Sequence, residues 1–171
     1  AVRVIVIDVN EPPEIHDAVR RVDENTAVGV EFGEPLVGTD VDANQTLTYT
    51  LQEPRDDNGA LFINPSTGVL RVARDQLDFE TQPVYTVTVQ VADNGVDPHP
   101  MSDTATLTVY LNDVNEPPVI PDGQVLEVPE NTAVDTAATP KVQAADPDAG
   151  DSVTYSMAEH PAFYMVEGGV V

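Results

Sequence analysis

Carboxylates recur in closely spaced pairs along this sequence. Asp40 and Asp42 are separated by one residue, and so are Asp78 and Glu80. Side chains two residues apart lie on the same side of an extended backbone, where two like charges repel each other unless a cation lies between them. Hard divalent cations take about six to eight oxygen ligands, and Ca²⁺ tolerates the irregular geometry that loops provide. These pairs therefore indicate a Ca²⁺ site, although each carboxylate taken singly is also compatible with a solvated surface.

One acidic segment, Asp-Val-Asn-Glu-Pro-Pro, occurs twice. It spans residues 8–13 and returns unchanged at residues 113–118, 105 positions later. Three other pairs of similar segments are 106 positions apart: residues 22–28 and 128–134, 40–42 and 146–148, and 47–50 and 153–156. Several motifs in one register indicate a repeated module. Because each acidic copy follows a β-rich run and precedes a new start, we interpret it as a linker between modules.

The spacing divides the chain into three parts. Residues 1–13 are predicted to be the last strand and linker of a preceding repeat, residues 14–118 a complete repeat with its linker, and residues 119–171 the N-terminal part of a following repeat. Val2, Val4 and Val6 align with Leu107, Val109 and Leu111 when the two acidic segments are superposed. We therefore interpret the chain as a piece of a longer protein.

Short runs rich in Val, Thr and Leu predict β-strands. In residues 84–91 Val alternates with Thr and Gln, and in residues 105–111 apolar residues alternate with Thr and Tyr. A period of two gives a strand one buried and one wet face. Shorter strands are predicted at residues 47–52, 61–63 and 69–72, the last two flanking a turn that contains Pro and Gly. About seven short strands separated by turn signals predict an all-β sandwich of two sheets.

The composition excludes several classes of function. Thirty acidic and seven basic residues give a net charge of -23, which argues against nucleic acid and anionic membranes as partners because both attract the opposite charge. Cys is absent, so no disulfide supports the fold. No apolar stretch reaches the roughly 18 residues of a membrane-spanning helix, and the three His residues show no zinc-ligand spacing.

An EF-hand loop is the competing interpretation of the acidic turn that begins at Asp40. Such a loop requires Gly at its sixth position and Glu at its twelfth. Here these positions hold Gln45 and Leu51, and the flanking residues are strand-like. We therefore reject the EF-hand interpretation.

Together the motifs resemble the cadherin repeat family over essentially the whole chain. The family pattern combines a Pro-Glu-Asn box, an Asp-x-Asp turn, a Leu-Asp-x-Glu box, an Ala-x-Asp-like strand end and an acidic linker. The corresponding segments are residues 23–25, 40–42, 77–80, 91–93 and 113–118, and the next round begins at residues 129–131 and 146–148. The resemblance implies seven-stranded, Greek-key, immunoglobulin-like β-sandwich repeats in tandem, with calcium bound between successive repeats.

The resemblance also implies a ligand set for each joint between repeats. For the intact joint the set is Glu24, Asp78, Glu80, Asp113, Val114 through its backbone oxygen, Asn115, Glu116, Asp146 and Asp148. For the upstream joint it is Asp8, Asn10, Glu11, Asp40, Asp42 and Asp93. The linker has Glu116 where the family usually has Asp, and it is one residue short before Pro117. The number of ions at the intact joint is therefore left open.

The function implied by the resemblance is a calcium-rigidified tandem repeat of a cell-surface or extracellular protein, without enzymatic activity. It would serve in cell adhesion or as a stiff stalk of a membrane-anchored parent protein. Its partners would be calcium, the other repeats of the same chain, and homophilic or heterophilic protein partners. Two alternatives stay open. One is a carbohydrate-binding accessory β-sandwich, which the absence of Trp disfavours, and the other is a filament subunit completed by strand addition between molecules.

Asn44-Gln45-Thr46 is an N-glycosylation sequon. We expect it at the surface. Its place beside the Asp40 and Asp42 turn, at the calcium end of the module, argues against its occupancy by a glycan.

Overall fold

The computed structural model describes residues 2–156, together with the backbone of two short strands at residues 165–166 and 169–170. The other residues of the predicted part 119–171 lie outside the described residues. The chain divides into two compact units, Ala1–Val114 and Asn115–Val171. The described part of the chain contains no helix, and hence none long and apolar enough to cross a bilayer.

Seven strands build the first unit. They are β1 (Ala18–Asp23), β2 (Glu31–Phe32), β3 (Thr48–Gln52), β4 (Leu61–Ile63), β5 (Leu70–Val72), β6 (Val84–Ala92) and β7 (Ser102–Asn112). One sheet has the order β1-β7-β6-β3 and the other β2-β5-β4. The pairing is antiparallel except between β1 and β7, the first and last strands, which run parallel. This arrangement confirms the predicted all-β, seven-stranded, immunoglobulin-like sandwich.

The core lies between the two sheets. Val87, Val89 and Val91 of β6 and Leu107 and Val109 of β7 are buried, while the Thr residues between them lie on the opposite face. The second sheet contributes the facing side chains, which include those of Leu61, Leu70 and Val72. Burying a Val or Leu side chain contributes about 1.5–3 kcal/mol, so the alternation read from the sequence supplies much of the stability of this unit.

Some strands begin or end at other residues than predicted. At these ends the boundary is set by hydrogen bonding to the neighbouring strand and not by the side-chain pattern. Strand β7 begins at Ser102 and not at residue 105, because its first residues pair with the end of β6, where Ser102 lies opposite Ala92. Strand β2 was not predicted. It has only two residues and is flanked by Gly29 and Gly33, which interrupt any alternation.

Residues 2–7 are the segment that the sequence predicts to be the last strand of a preceding repeat. No other strand of the described chain pairs with this segment, and Val2, Val4 and Val6 are largely exposed. A β-strand obtains its hydrogen bonds from a neighbouring strand, so the alternating pattern alone does not produce one. The assignment of residues 1–13 to a preceding repeat stays a prediction.

The second unit repeats local contacts of the first. Val119 bridges Ala145 in one unit as Glu14 bridges Thr39 in the other. The amide of Ala144 donates to the hydroxyl of Tyr155 at 3.1 Å, and that of Gly38 donates to the hydroxyl of Tyr49 at 2.9 Å. These matching contacts accord with the repeat spacing in the sequence. Two further strands, β8 (Met165–Val166) and β9 (Gly169–Val170), pair antiparallel.

Candidate metal centre

Glu24 is a buried carboxylate directly after β1, and only 2% of its surface is exposed. Its Oε2 accepts a hydrogen bond from the amide of Phe79 at 2.8 Å, and its Oε1 accepts one from the amide of Val114 at 2.8 Å. Hydrogen bonds to an ionised carboxylate are about twice as strong as neutral ones. The two amides therefore fix the orientation of Glu24 and attach the end of the unit at Val114 to it.

Three carboxylates converge at this point. One oxygen from each of Glu24, Glu80 and Asp113 lies within 4.8 Å of the others. The strand register explains the approach of Glu24 to Asp113, because parallel pairing places Asp23 opposite Asn112. All three were predicted from the sequence as ligands. Three clustered negative charges repel each other, and their oxygen donors fit a hard divalent cation such as Ca²⁺.

Asp78, a fourth predicted ligand, is not one of these three carboxylates. Its Oδ1 accepts from the amide of Thr81 and its Oδ2 from the hydroxyl of Thr81, both at 2.8 Å. The visible role of Asp78 is thus to close the turn that carries Glu80. A carboxylate oxygen has two lone pairs, so these bonds leave Asp78 capacity for a cation.

The second unit has its own acidic group. Oxygens of Asp146, Asp148 and Asp151 lie within 4.8 Å of one another. The amide of Asp148 donates to Asp146 Oδ1 at 3.2 Å, and the amide of Glu116 donates to Asp148 Oδ2 at 2.7 Å. Asn115 donates from its side chain to the carbonyl of Glu116 at 3.1 Å. Glu116 of the linker is therefore hydrogen-bonded to Asp148, which belongs to the predicted ligand pair Asp146 and Asp148.

Asp151 was missed by the sequence analysis. Its backbone amide donates to the carbonyl of Asp148 at 3.3 Å, and Gly150 between them has a φ of 103°. This left-handed turn folds Asp151 back toward the pair. The spacing Asp-x-Asp-x-x-Asp with Gly before the last Asp was the available signal.

In the upstream set, Asn10 is the central residue and is 8% exposed. Its side-chain nitrogen donates to Asp93 Oδ2 at 3.1 Å and to the carbonyl of His99 at 3.0 Å. Its Oδ1 accepts from the side chain of Gln45 at 2.6 Å. A side chain with partners on both of its polar atoms is fixed in place, so the linker is attached to the unit at Asn10.

Asp93 is satisfied by the loop that follows β6. Its Oδ1 accepts from the amides of Gly95 and Met101, both at 2.9 Å. Although desolvation acts to raise the pKa of Asp93, the hydrogen bonds from Met101, Gly95 and Asn10 outweigh it and lower the pKa. Asp93 is consequently held ionised as part of the framework of this loop.

Asp40 and Asp42 lie beside the linker. The amide of Glu11 donates to Asp42 Oδ2 at 2.9 Å, and the amide of Asp42 donates to Asp40 Oδ1 at 2.8 Å. Asp40 Oδ2 and Gln45 Oε1 are buried without a hydrogen bond in the described part of the chain. An unsatisfied buried oxygen costs about 1–3 kcal/mol, and a bound cation would remove this cost.

Glu11 and Asp8 complete the upstream set. Desolvation and then the charge of Asp42 raise the pKa of Glu11, as expected where carboxylates crowd without a cation. Asp8 is exposed and lines a cleft of about 250 Å³ together with Asn10 and Asp42. Among the described residues the upstream acids do not form a group of three carboxylates as close as that around Glu24.

Comparison with known proteins identifies the family. The Cadherin domain model matches residues 19–112. Protein dachsous of Drosophila melanogaster is 36% identical over 163 residues, which cover 90% of this chain and 4% of that protein. Cadherin-8 of Rattus norvegicus is 32% identical over 173 residues, which cover 92% of this chain and 21% of that protein.

A solved structure agrees with this result. Repeats EC22-24 of mouse Cadherin-23 match with a TM-score of 0.60 and 26% identity, covering 95% of this chain and 52% of that one. Cadherin domains are non-enzymatic adhesion modules that in general bind calcium. The chain belongs to the cadherin domain family.

Proposed function

We propose that this chain is a calcium-stiffened segment of tandem cadherin repeats in an extracellular or cell-surface protein. The observation that carries the proposal is the convergence of Glu24, Glu80 and Asp113 within 4.8 Å, with Val114 bound to the same Glu24. The carboxylates and the linker backbone are thereby organised by one buried side chain.

The mechanism rests on charge repulsion. Without a cation the three carboxylates repel one another, which favours conformations in which Asp113 swings away. Glu24, Glu80 and Asp113 would hold Ca²⁺ through their carboxylate oxygens, and the positive charge of the ion would offset their repulsion and keep the first residue of the linker in place. The group formed by Asp146 and Asp148 supports the further proposal that the following repeat offers ligands of its own. Sharing of ions between the repeats, with Asn115 and Glu116 as linker ligands, is the part of the proposal that comes from the sequence pattern.

Calcium titration of the purified chain tests the proposal. We expect dissociation constants of about 10⁻⁵ to 10⁻³ M, as for other extracellular modules. X-ray scattering should show a less flexible particle in calcium than in chelator. The variants E80Q and D113N should each weaken binding. The matched control D75N removes one exposed carboxylate of the neighbouring loop and should bind as the unchanged chain does. Equal binding by D113N and D75N would contradict the assignment.

The biological role follows from the family. The chain spans only 4% and 21% of the length of Protein dachsous and Cadherin-8. We propose that the parent protein uses such repeats in adhesion or as a stalk. Beads coated with the chain should aggregate in calcium if the repeats themselves bind each other. Beads that stay dispersed in calcium would favour a role as a stalk over a role in adhesion.

A further inference from the structure

The sequon Asn44-Gln45-Thr46 lies in the connection between β2 and β3. Asn44 and Thr46 are exposed, whereas Gln45 between them is half-buried. The side-chain amide of Asn44 makes no hydrogen bond with any residue that the structure describes. The acceptor amide and the hydroxyl two residues later, which together define the sequon, are therefore both open to solvent.

The backbone geometry explains this alternation. Asn44 has a φ of 71°, a left-handed conformation that Asn tolerates better than most residues. On the inner side of the turn, Gln45 donates to Asn10 at 2.6 Å, and the amide of Thr46 donates to Asn94 at 2.8 Å. Held by these two bonds, the turn presents Asn44 outward.

The second unit shows that the turn does not itself require Asn. The corresponding residues there are Gly150, Asp151 and Ser152, and Gly150 has a φ of 103°. Glycine adopts this conformation without strain. The same turn thus occurs once with a glycosylation acceptor and once without.

We propose that Asn44 is an acceptor for an N-linked oligosaccharide, a role that rests on the extracellular location in the proposed function. The Asn44 Nδ2 forms a bond to C1 of the first sugar of a lipid pyrophosphate-linked oligosaccharide. The bond from C1 to the phosphate oxygen breaks, the pyrophosphate leaves with the bonding electrons, and the amide proton passes to a base of the transferase.

Asn44 is more accessible than its position beside the acidic turn suggests. Nearness to Asp40 and Asp42 argued against a glycan, but Asp40 Oδ2 is buried and Asp42 is half-buried. Asn44 is exposed, and it is one of the residues that line the 250 Å³ cleft. A glycan there extends into solvent and leaves the bond between Gln45 and Asn10 intact.

The test is the intact mass of the chain after secretion from a eukaryotic host, before and after enzymatic removal of N-glycans. We expect the unchanged chain and T46S to carry one oligosaccharide, and N44G and T46V to carry none. N44G keeps the left-handed turn, because Gly serves at the corresponding position of the second unit. G150N creates a sequon with Asp151 and Ser152 and should add a glycan, which shows that the host modifies this type of turn.

The proposal would be overturned if the unchanged chain is secreted with its unmodified mass while G150N carries a glycan. A glycan that persists in N44G would overturn it as well. Calcium titration of N44G separates this result from the proposed function. If N44G binds calcium and the unchanged chain carries no glycan, only the modification is rejected. If the unchanged chain carries a glycan and no calcium binding is found, only the calcium site is rejected.

Discussion

The amide of Val114 donates a 2.8 Å hydrogen bond to Oε1 of Glu24, which lies 90 residues earlier in the chain. One buried carboxylate thus holds the position at which the first compact unit ends. Because its other oxygen accepts from Phe79, Glu24 also fixes the loop that carries Glu80. Any change at Glu24 should therefore affect both the stability of the sandwich and the affinity for calcium.

Replacing Glu24 by Gln tests this double role. Gln has an NH₂ group where Glu24 has its second oxygen, so one of the two backbone N–H groups would lose its acceptor. A buried donor without a partner costs about 1–3 kcal/mol. We expect E24Q to lower the free energy of unfolding by that amount in chelator, measured by urea denaturation. It should also weaken calcium binding, because calcium affinity depends on the number of charged ligands. D75N serves as the charge-matched control. Unchanged stability of E24Q would show that the two amides do not depend on Glu24.

The linker residue Asn10 should contribute to the stability of the first unit. N10A removes hydrogen bonds to Asp93, His99 and Gln45 and leaves buried polar atoms unpaired. We expect a loss of about 1–3 kcal/mol in urea denaturation in chelator. The corresponding residue of the other linker, Asn115, bonds only locally to Glu116 among the described contacts, and N115A should change the stability of the first unit little. Equal effects of the two variants would contradict the structure.

Gly95 should be intolerant of any side chain while Asn10 is in place. A Cβ at Gly95 would lie 1.8 Å from Asn10 Oδ1, which is far inside van der Waals contact. We expect G95A to destabilise the unit by about 1–3 kcal/mol, in the range of overpacking. In the N10A background the obstacle is gone, so G95A should there cost much less. A double-mutant cycle measures this coupling, and simple additivity of the two effects would exclude the contact.

The ion pair of half-buried Arg55 with buried Asp57 predicts how stability falls in acid. Asp57 is 1% exposed. Desolvation by burial acts to raise its pKa, but the hydrogen bonds from Arg55, Leu61 and Gly59 together outweigh it and lower the pKa. A carboxyl whose pKa is lower in the folded state stabilises the fold above its unfolded pKa, about 3.9. That contribution is lost as the pH falls through the lower, folded value.

D57N tests this assignment at neutral and acid pH. We expect D57N to destabilise the unit by about 1–3 kcal/mol at pH 7, because half-buried Arg55 loses its charged partner and keeps only its bond to the carbonyl of Leu61. The difference from the unchanged chain should shrink below about pH 4. Urea denaturation at several pH values in chelator measures both, and the apolar double variant R55M/D57L should recover part of the stability. A difference that stays constant with pH would show that Asp57 does not titrate with folding.

The sequence by itself determined the elements and the residue types of the site. Val and Leu alternating with Thr in β6 and β7 specify one buried face, because side-chain direction in a strand follows a period of two. The exact repetition of the acidic linker, together with the recurring Asp pairs, was enough to predict the family and most acids of the two clusters. These features are local in the sequence, so they can be recognised without knowing which residues lie opposite them on neighbouring strands.

The tertiary structure decided which of those acids meet. Parallel pairing of β1 with β7 sets Asp23 opposite Asn112, and this register brings Glu24 beside Asp113. No local pattern encodes that distance, because it depends on how two strands far apart in sequence align. For the same reason the sequence did not reveal that Asp78 accepts hydrogen bonds from Thr81 in the turn that carries Glu80. Asp151 was overlooked until the turn at Gly150 placed it beside Asp146. Spacing along the chain gives the chemistry of the ligands, whereas strand register and loop conformation give their convergence.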